Sequence, residues 1–377
     1  MIKVLFLRTI RGLDAPSGAE VYLSYLARFL KHHGVSPYFL FSIDPRRDHS
    51  VCLSIFESAG AEFDLVQVPG KFSLKDMQQA LQTANRLDVD IIHTMDHRSD
   101  FIGAFIQYFG HRPVVASFQG WTGFAPNSWR LHLYGRIDSL ALRTMNTVFI
   151  DSRRMAENLG NLAYSRKIQY APNGIDVDQF HPNRVLPRKK QETTFLQVAR
   201  YHPNKGQFDF VQAAERVLKV FPDTRFILLG DSNKGGEQYE SNIRRYVTDH
   251  ELHNVSFHTP VAHDCLPQVI ADADVLVASS HCEGLSLAVL EAMSMEKLII
   301  CYDSGGIGEI LTHKKNALIT PVGDIEALAT EMMRAIETPD YIKLLAKAGR
   351  RLVVKSYSVN VMVENIANKY RSILAEK

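Results

Sequence analysis

Val275-Leu276-Val277-Ala278-Ser279-Ser280 is followed by His281-Cys282-Glu283-Gly284-Leu285-Ser286 and then by Leu287-Ala288-Val289-Leu290-Glu291-Ala292-Met293-Ser294-Met295. The first run is apolar and rich in valine, as a strand buried on both faces would be. The last is a helix former. The order strand, loop, helix places Glu283 on the loop at the carboxyl end of the strand and Glu291 inside the helix. Eight residues at about 100° each would leave the two positions within roughly a quarter turn if both were helical. Both carboxylates can then face one crevice, with the backbone N–H groups of Leu285 and Ser286 between them. Helix amino termini bind phosphate through such groups, and carboxylates accept hydrogen bonds from sugar and ribose hydroxyls. A nucleotide sugar carries both kinds of group.

The same half of the chain contains Phe195-Leu196-Gln197-Val198-Ala199-Arg200-Tyr201-His202-Pro203-Asn204-Lys205-Gly206. This reads as a strand with Arg200 at its tip, Lys205 on the next loop, and a helix starting near Gln207. An arginine fork and a compact lysine charge beside a helix start suit a diphosphate. Downstream, Asp303-Ser304-Gly305-Gly306-Ile307-Gly308-Glu309 follows the strand Leu298-Ile299-Ile300-Cys301. Glycines there permit a close backbone approach to a ligand, as they would also permit a plain tight turn.

Strand-like runs alternate with helix-length stretches throughout. They fall at Lys3–Arg8, Tyr38–Ser42, Phe63–Val68, Ile91–His93, Val114–Phe118 and Val148–Asp151. A second set falls at Phe195–Ala199, Phe226–Gly230, Val255–His258, Val275–Ser279, Leu298–Cys301 and Ala317–Thr320. Such alternation predicts an α/β protein with parallel doubly wound sheets, whose ligands bind outside the carboxyl ends of the strands. The basic, polar stretch Asn183–Glu192 separates the two sets. It sets the expected boundary: one Rossmann-like domain over residues 1–182 and a second over 183–357.

Together these segments resemble the retaining, nucleotide-sugar-dependent glycosyltransferases of family four, which have the GT-B fold. Ser17-Gly18-Ala19-Glu20 is similar to the family's Gly-Gly-x-Glu loop, with Ser17 replacing the first glycine. Ala171-Pro172-Asn173-Gly174-Ile175-Asp176 resembles its hinge segment, Glu283 to Glu291 its paired glutamates, and Gly305-Gly306 with Glu309 its trailing Gly-Gly-x-x-Glu. The resemblance implies two Rossmann-like domains facing an interdomain cleft, with a last helix near 358–377 crossing back to the first. It implies Arg200, Lys205 and Glu283 as catalytic residues. Donor contacts are implied at Gly18, Gly230, Pro260, Val261, Gly284, Leu285, Ser286, Leu287 and Glu291. Glu283 would hold the donor sugar, Glu291 the ribose, and the loop at Pro260-Val261 the base, with uridine favoured as the commonest in the family. His93 and Gln119 would shape the acceptor or donor-sugar pocket, and His93 reads equally as a structural histidine capping its strand end. Gln119 stands where many members carry histidine, and an amide cannot take up a proton near neutrality.

The expected reaction is retaining transfer of a sugar from a UDP-type donor to a hydroxyl acceptor: a glycan, a lipid-linked intermediate or a small metabolite. No cofactor and no metal are expected, because Arg200 and Lys205 take the charge-neutralising role and no Asp-x-Asp segment presents itself as a metal bridge. An epimerase or hydrolase of the same fold, or a non-catalytic partner subunit, would share the donor features. A nicotinamide dehydrogenase would need G-x-G-x-x-G after the first strand, and Arg8–Gly18 contains none.

Charge is nearly balanced, with 43 Lys and Arg against 41 Asp and Glu, which argues against a nucleic-acid partner. Cys52, Cys265, Cys282 and Cys301 show neither metal-ligand spacing nor a disulfide framework, as expected in a reducing cytoplasm. No apolar run is long enough to span a bilayer. Between Arg112 and Lys167, however, eight Lys and Arg stand against three Asp and Glu. The Trp-, Leu- and Arg-bearing stretch 127–143 could present a basic face to anionic lipid, giving peripheral contact with the inner membrane surface.

Overall fold

The computed structural model describes residues 1–376 except 11, 13–15, 69–73, 110–111, 119–128, 158, 160–164, 187–191 and 233–235. Side chains at 74, 109, 129–134, 136–137 and 155 are likewise outside the description. The chain forms two compact units, Met1–Asn173 with Val359–Lys377, and Gly174–Ser358.

The first unit holds a seven-stranded sheet of β1 (Ile2–Thr9), β2 (Val35–Ile43), β3 (Glu62–Gln67), β4 (Ile91–Thr94), β5 (Val114–Phe118), β6 (Thr147–Ile150) and β7 (Ile168–Tyr170). All pairings are parallel, in the order β3-β2-β1-β4-β5-β6-β7. β4 and β5 are buried along their whole length, and their mainly apolar sequences are interrupted only by the buried polar residues His93, Thr94 and Ser117. β7, a short and only partly buried edge strand, was not expected from the sequence. The terminal helix Val359–Ala375 belongs to this unit, with Tyr370 and Ile366 fully buried.

The second unit holds a six-stranded parallel sheet of β8 (Thr194–Val198), β9 (Arg225–Leu229), β10 (Val255–His258), β11 (Val275–Ala278), β12 (Leu298–Tyr302) and β13 (Leu318–Thr320). Its order is β10-β9-β8-β11-β12-β13. Phe195 and Phe226 stack at 5.4 Å across β8 and β9 in its core, beneath Phe210 of the helix Gln207–Leu218.

The passage from first to second unit falls between Asn173 and Gly174, ahead of the expected boundary after 182. The reason is packing. Phe180 is fully buried, and its carbonyl accepts a hydrogen bond from Ser294 Oγ at 2.7 Å. The Ile175 N–H donates to the Tyr357 carbonyl at 3.0 Å. Residues 174–182 are therefore already part of the second core.

In each sheet the strand order reverses once, between β1 and β4 and between β8 and β11. Crevices at such switch points, outside the strands' carboxyl ends, are where α/β folds bind ligands. The loops after β8 and β11 carry Lys205 and Glu283.

Candidate functional site

The loop after β8 is tied down before any ligand arrives. Gln197, a buried amide in an otherwise apolar strand, donates to the Lys205 carbonyl at 2.8 Å and to Ser279 Oγ at 3.1 Å. Ser279 Oγ in turn donates to the Gly206 carbonyl at 2.8 Å. Gly206 has φ +64°, and a Cβ there would lie 1.9 Å from the Ser279 carbonyl oxygen. Only glycine fits. These contacts fasten the β8 loop to the tip of β11, and they bring the Lys205 ammonium into an ion pair with the Glu283 carboxylate. Ser280 Oγ donates to the same carboxylate oxygen at 3.1 Å. Arg200 stands half-buried at the tip of β8. Burial, and then the positive charges of Arg200 and Lys205, hold the neighbouring His202 imidazole below its ordinary pKa.

Glu283 is supported from the other side by the turn after β12. The Gly306 N–H donates to the Glu283 carbonyl at 3.2 Å, and Gly305, at φ +47°, packs directly on that peptide. The glycine pair thus serves a close approach of backbone to backbone. Ser286 caps the helix Leu287–Ser294 from an extended conformation without a side-chain cap bond, and Leu285 beside it is buried. Glu291, inside that helix, keeps only 3% of its surface. Its Oε1 lies 3.0 Å from His263 Nε2. Burial opposes a charge on His263, but the hydrogen bond and charge of Glu291, with Asp264 and Asp176 adding, hold its pKa above the ordinary imidazole value. Pro260 is partly and Val261 more fully exposed after β10, and a Cβ on Gly230 would meet the Ala199 carbonyl at 2.0 Å.

Two family models divide this chain between them. Residues 16–179 match Glycosyltransferase Family 4, and residues 179–352 match Glycosyl transferases group 1. Between them the two models span residues 16–352, and the chain has the GT-B fold. An Escherichia coli relative, UDP-Gal:alpha-D-GlcNAc-diphosphoundecaprenol alpha-1,3-galactosyltransferase, is 25% identical over 56% of this chain and 56% of its own length. A Corynebacterium glutamicum relative, GDP-mannose-dependent monoacylated alpha-(1-6)-phosphatidylinositol monomannoside mannosyltransferase, is 27% identical over 54% of this chain and 56% of its own. The chain thus spans about half the length of these curated relatives. The Anabaena protein HepE, solved with UDP-glucose, matches with a TM-score of 0.83 at 20% identity. That match covers 99% of this chain and 100% of the other, and it speaks for the fold.

Arg200, Lys205, Gly284, Leu285, Ser286, Leu287, Glu283 and Glu291 all lie on the loops and helix that follow β8 and β11. Gly18 opens the helix Gly18–Phe29, where the Ser17 N–H donates to Glu20 Oε2 at 2.9 Å and Arg8 donates to Glu20 Oε1 at 3.3 Å. Arg8 also donates to the Met95 carbonyl at 2.7 Å, so that the end of β1 is joined to the loop after β4.

His93, expected either at the acceptor or donor-sugar pocket or as a structural residue at the strand end, lies inside the core of the first unit. The ring is fully buried between Phe6 and Phe149, with Nδ1 2.5 Å from the Tyr370 hydroxyl and Nε2 2.8 Å from Ser117 Oγ. Burial pushes its pKa down to about 3, so it is neutral near physiological pH. Nδ1 ties the ring to the terminal helix and Nε2 ties it to β5. Gln119 lies outside the described residues, and so do residues 127–128 and most side chains of the basic stretch in the helix Trp129–Thr144. Among the described residues, no helix is long and apolar enough to cross a membrane.

The Asp-x-Asp triplets at 88–90, 176–178 and 272–274 are engaged with backbone. Asp90 accepts from the Lys3 N–H at 2.8 Å, Asp176 from the Asp178 N–H at 3.0 Å, and Asp274 from the Thr194 N–H at 2.9 Å. Among the described residues one group has the donor set for a metal: His97, Asp100 and Asp138 of the first unit, whose ligand atoms lie within 4.8 Å of one another. His97 Nδ1 and Asp138 Oδ2 are 2.8 Å apart, and burial, followed by the Asp138 charge, pushes the Asp100 carboxyl well up.

Sequence reasoning missed Gln197, Ser279 and His263. The first two carried a faint signal as polar residues at the ends of apolar strands; His263 carried none.

Proposed function

We propose that this protein transfers a hexosyl unit from a nucleotide-diphosphate sugar, UDP-sugars favoured, to a hydroxyl acceptor with retention and without a metal ion. The observation that carries the proposal is the Lys205–Glu283 ion pair at the β8/β11 switch point, on loops held in place by Gly206 and Gly305. It sets a cation for the leaving diphosphate beside a carboxylate for the sugar hydroxyls. Lys205, Arg200 and the helix start at Ser286-Leu287 would stabilise charge developing on the diphosphate, a task suited to fixed cations and dipoles. The acceptor oxygen attacks the anomeric carbon on the face the diphosphate leaves. One carbon–oxygen bond forms as the other breaks, and the acceptor's proton passes to an oxygen of the departing phosphate. No covalent enzyme intermediate is required. The E. coli and Corynebacterium relatives are named for lipid-linked acceptors, which favours a lipid-linked hydroxyl here, with peripheral membrane contact through the stretch 127–143.

The test is a panel of UDP-, GDP- and ADP-sugars in excess EDTA, read by thermal shift and by product formation. A ligand at a hundred times its dissociation constant stabilises by about 2.7 kcal/mol, which moves a midpoint visibly. Binding and turnover should survive EDTA. Activity abolished by EDTA and restored by manganese or magnesium would overturn metal independence. Donor cleaved to free sugar equally well with and without acceptors would favour a hydrolase.

A further inference from the structure

His263 is placed by a loop that no motif marks. It opens the short turn His263–Cys265 after β10, and its ring meets Glu291 of the helix Leu287–Ser294 at 3.0 Å. An ionised carboxylate only accepts, so Nε2 must carry the proton in this contact. On the far side Nδ1 lies 3.4 Å from the Gln179 amide nitrogen, and that amide donates to Asp264 Oδ1 at 3.2 Å. Phe180 packs against the ring at 5.3 Å in an edge-on geometry. The ring is thus gripped by its own turn and by the segment 174–182, and only its Nε2 edge is turned towards the helix. Among the described residues, acidic charges from three elements face it: Glu291 from the helix, Asp264 from its own turn and Asp176 from the segment 174–182.

A carboxylate with one oxygen held and the other unengaged is a directed acceptor. Among the described residues Glu291 Oε1 is bound by His263, and Oε2 has no hydrogen-bond partner. We propose that His263 is the positioning residue for Glu291, fixing Oε1 through Nε2–H so that Oε2 is presented to the ribose hydroxyls of the nucleotide. The proposal rests on the donor-binding role proposed above for Glu291. It adds a residue that acts on the nucleotide only through that carboxylate. A second consequence follows from charge. A protonated ring neutralises Glu291 beside Asp264 and Asp176, so the anionic diphosphate approaches a less negative wall. Loss of that proton leaves the acidic groups uncompensated.

The experiment is calorimetric titration of UDP, with GDP in parallel, into the wild-type protein and the variants His263→Ala, His263→Gln, Glu291→Gln and His263→Ala/Glu291→Gln between pH 6 and 9. His263→Ala should weaken the nucleotide by about tenfold or more, the scale of one charge-assisted hydrogen bond. His263→Gln, which keeps a donor but no titrating group, should recover most of that loss at neutral pH. In the wild type, affinity should fall as pH rises through the His263 titration, and this fall should be absent in His263→Gln. The double variant should bind no more weakly than Glu291→Gln alone, because coupled residues are not additive. Additive losses would overturn the proposal by showing that His263 acts independently of Glu291. So would an unaltered affinity in His263→Ala while Glu291→Gln is weakened. If Glu291→Gln itself binds UDP and GDP normally, the ribose role of Glu291 fails, and this inference with it. Should His263→Ala fail to fold, the pH profile of His263→Gln decides alone, since loss of packing does not create or remove a titration.

Discussion

A Cβ placed on Gly305 would lie 1.6 Å from the carbonyl oxygen of Glu283. The two residues belong to different loops, one after β12 and one after β11, and they touch through main chain alone. Gly305 is also held at φ +47°. The position of the Glu283 carboxylate opposite Lys205 therefore depends on the absence of a side chain in the neighbouring loop.

Gly305→Ala should accordingly damage both stability and donor binding. The left-handed conformation alone costs an L residue about 1–2 kcal/mol, and displacement of the Glu283 peptide adds to that. Chemical denaturation should show a lower midpoint for the second unit's transition, and UDP-sugar affinity should fall with it. Wild-type values for both would mean that the loop adjusts freely and does not set the position of Glu283.

Lys205→Ala should lower turnover more than donor affinity, because the leaving diphosphate carries more charge in the transition state than in the bound donor. A loss on the order of a hundredfold is expected, by analogy with removal of one charge-stabilising donor. A raised Michaelis constant at normal turnover would reduce Lys205 to a docking contact.

Glu283→Gln and Glu291→Gln should fail in different ways. Glu283 is paired with Lys205, so its neutralisation frees the ammonium for phosphate. Affinity for the bare nucleotide diphosphate should hold or rise while sugar transfer falls. Glu291→Gln should weaken the bare nucleotide by roughly ten- to a hundredfold, the worth of a hydrogen bond to a charged acceptor. Equal weakening of the bare nucleotide by both changes would show that the two carboxylates act on one group.

The sequence made the parallel sheets legible because strands buried on both faces are written as apolar runs, as in Val275–Ala278 and Leu298–Tyr302. It did not reveal β7, whose three residues Ile168, Gln169 and Tyr170 are too few and too exposed for a pattern. Lys205 and Glu283 stood out as charges just past strand ends. The partnership of Glu291 with His263 did not, because it depends on how the loop after β10 folds over the helix. The surroundings of His93 were hidden for a similar reason. Its burial is decided by Tyr370, 277 residues away on a helix that packs against the first unit. Local sequence cannot report a lid supplied by the other end of the chain. The glycines at 305 and 306 could serve either a ligand or a tight turn by their sequence alone, and the structure packs them against the Glu283–Gly284 backbone.

The buried histidine gives a prediction with a definite sign. His93 has a native pKa of about 3, lowered by burial, against an ordinary value of 6.5. Between those values the unfolded chain binds a proton that the native state does not, so stability rises with pH across the window and is lost as pH falls through it. His93→Asn removes that titration. At pH 7.5 the variant should be the less stable, because the Tyr370 hydroxyl or Ser117 Oγ loses its partner, at about 1–3 kcal/mol for each buried group left unsatisfied. On acidification from pH 6.5 towards 4 the gap should narrow, since only the wild type gives up the His93 contribution. Denaturation of both proteins across this range, followed by a probe in the first unit, tests the point. A gap that stays constant with pH would mean that the ring is hydrated or already protonated in the native state. A folded variant with wild-type stability but a raised Michaelis constant for acceptor would return His93 to a substrate pocket.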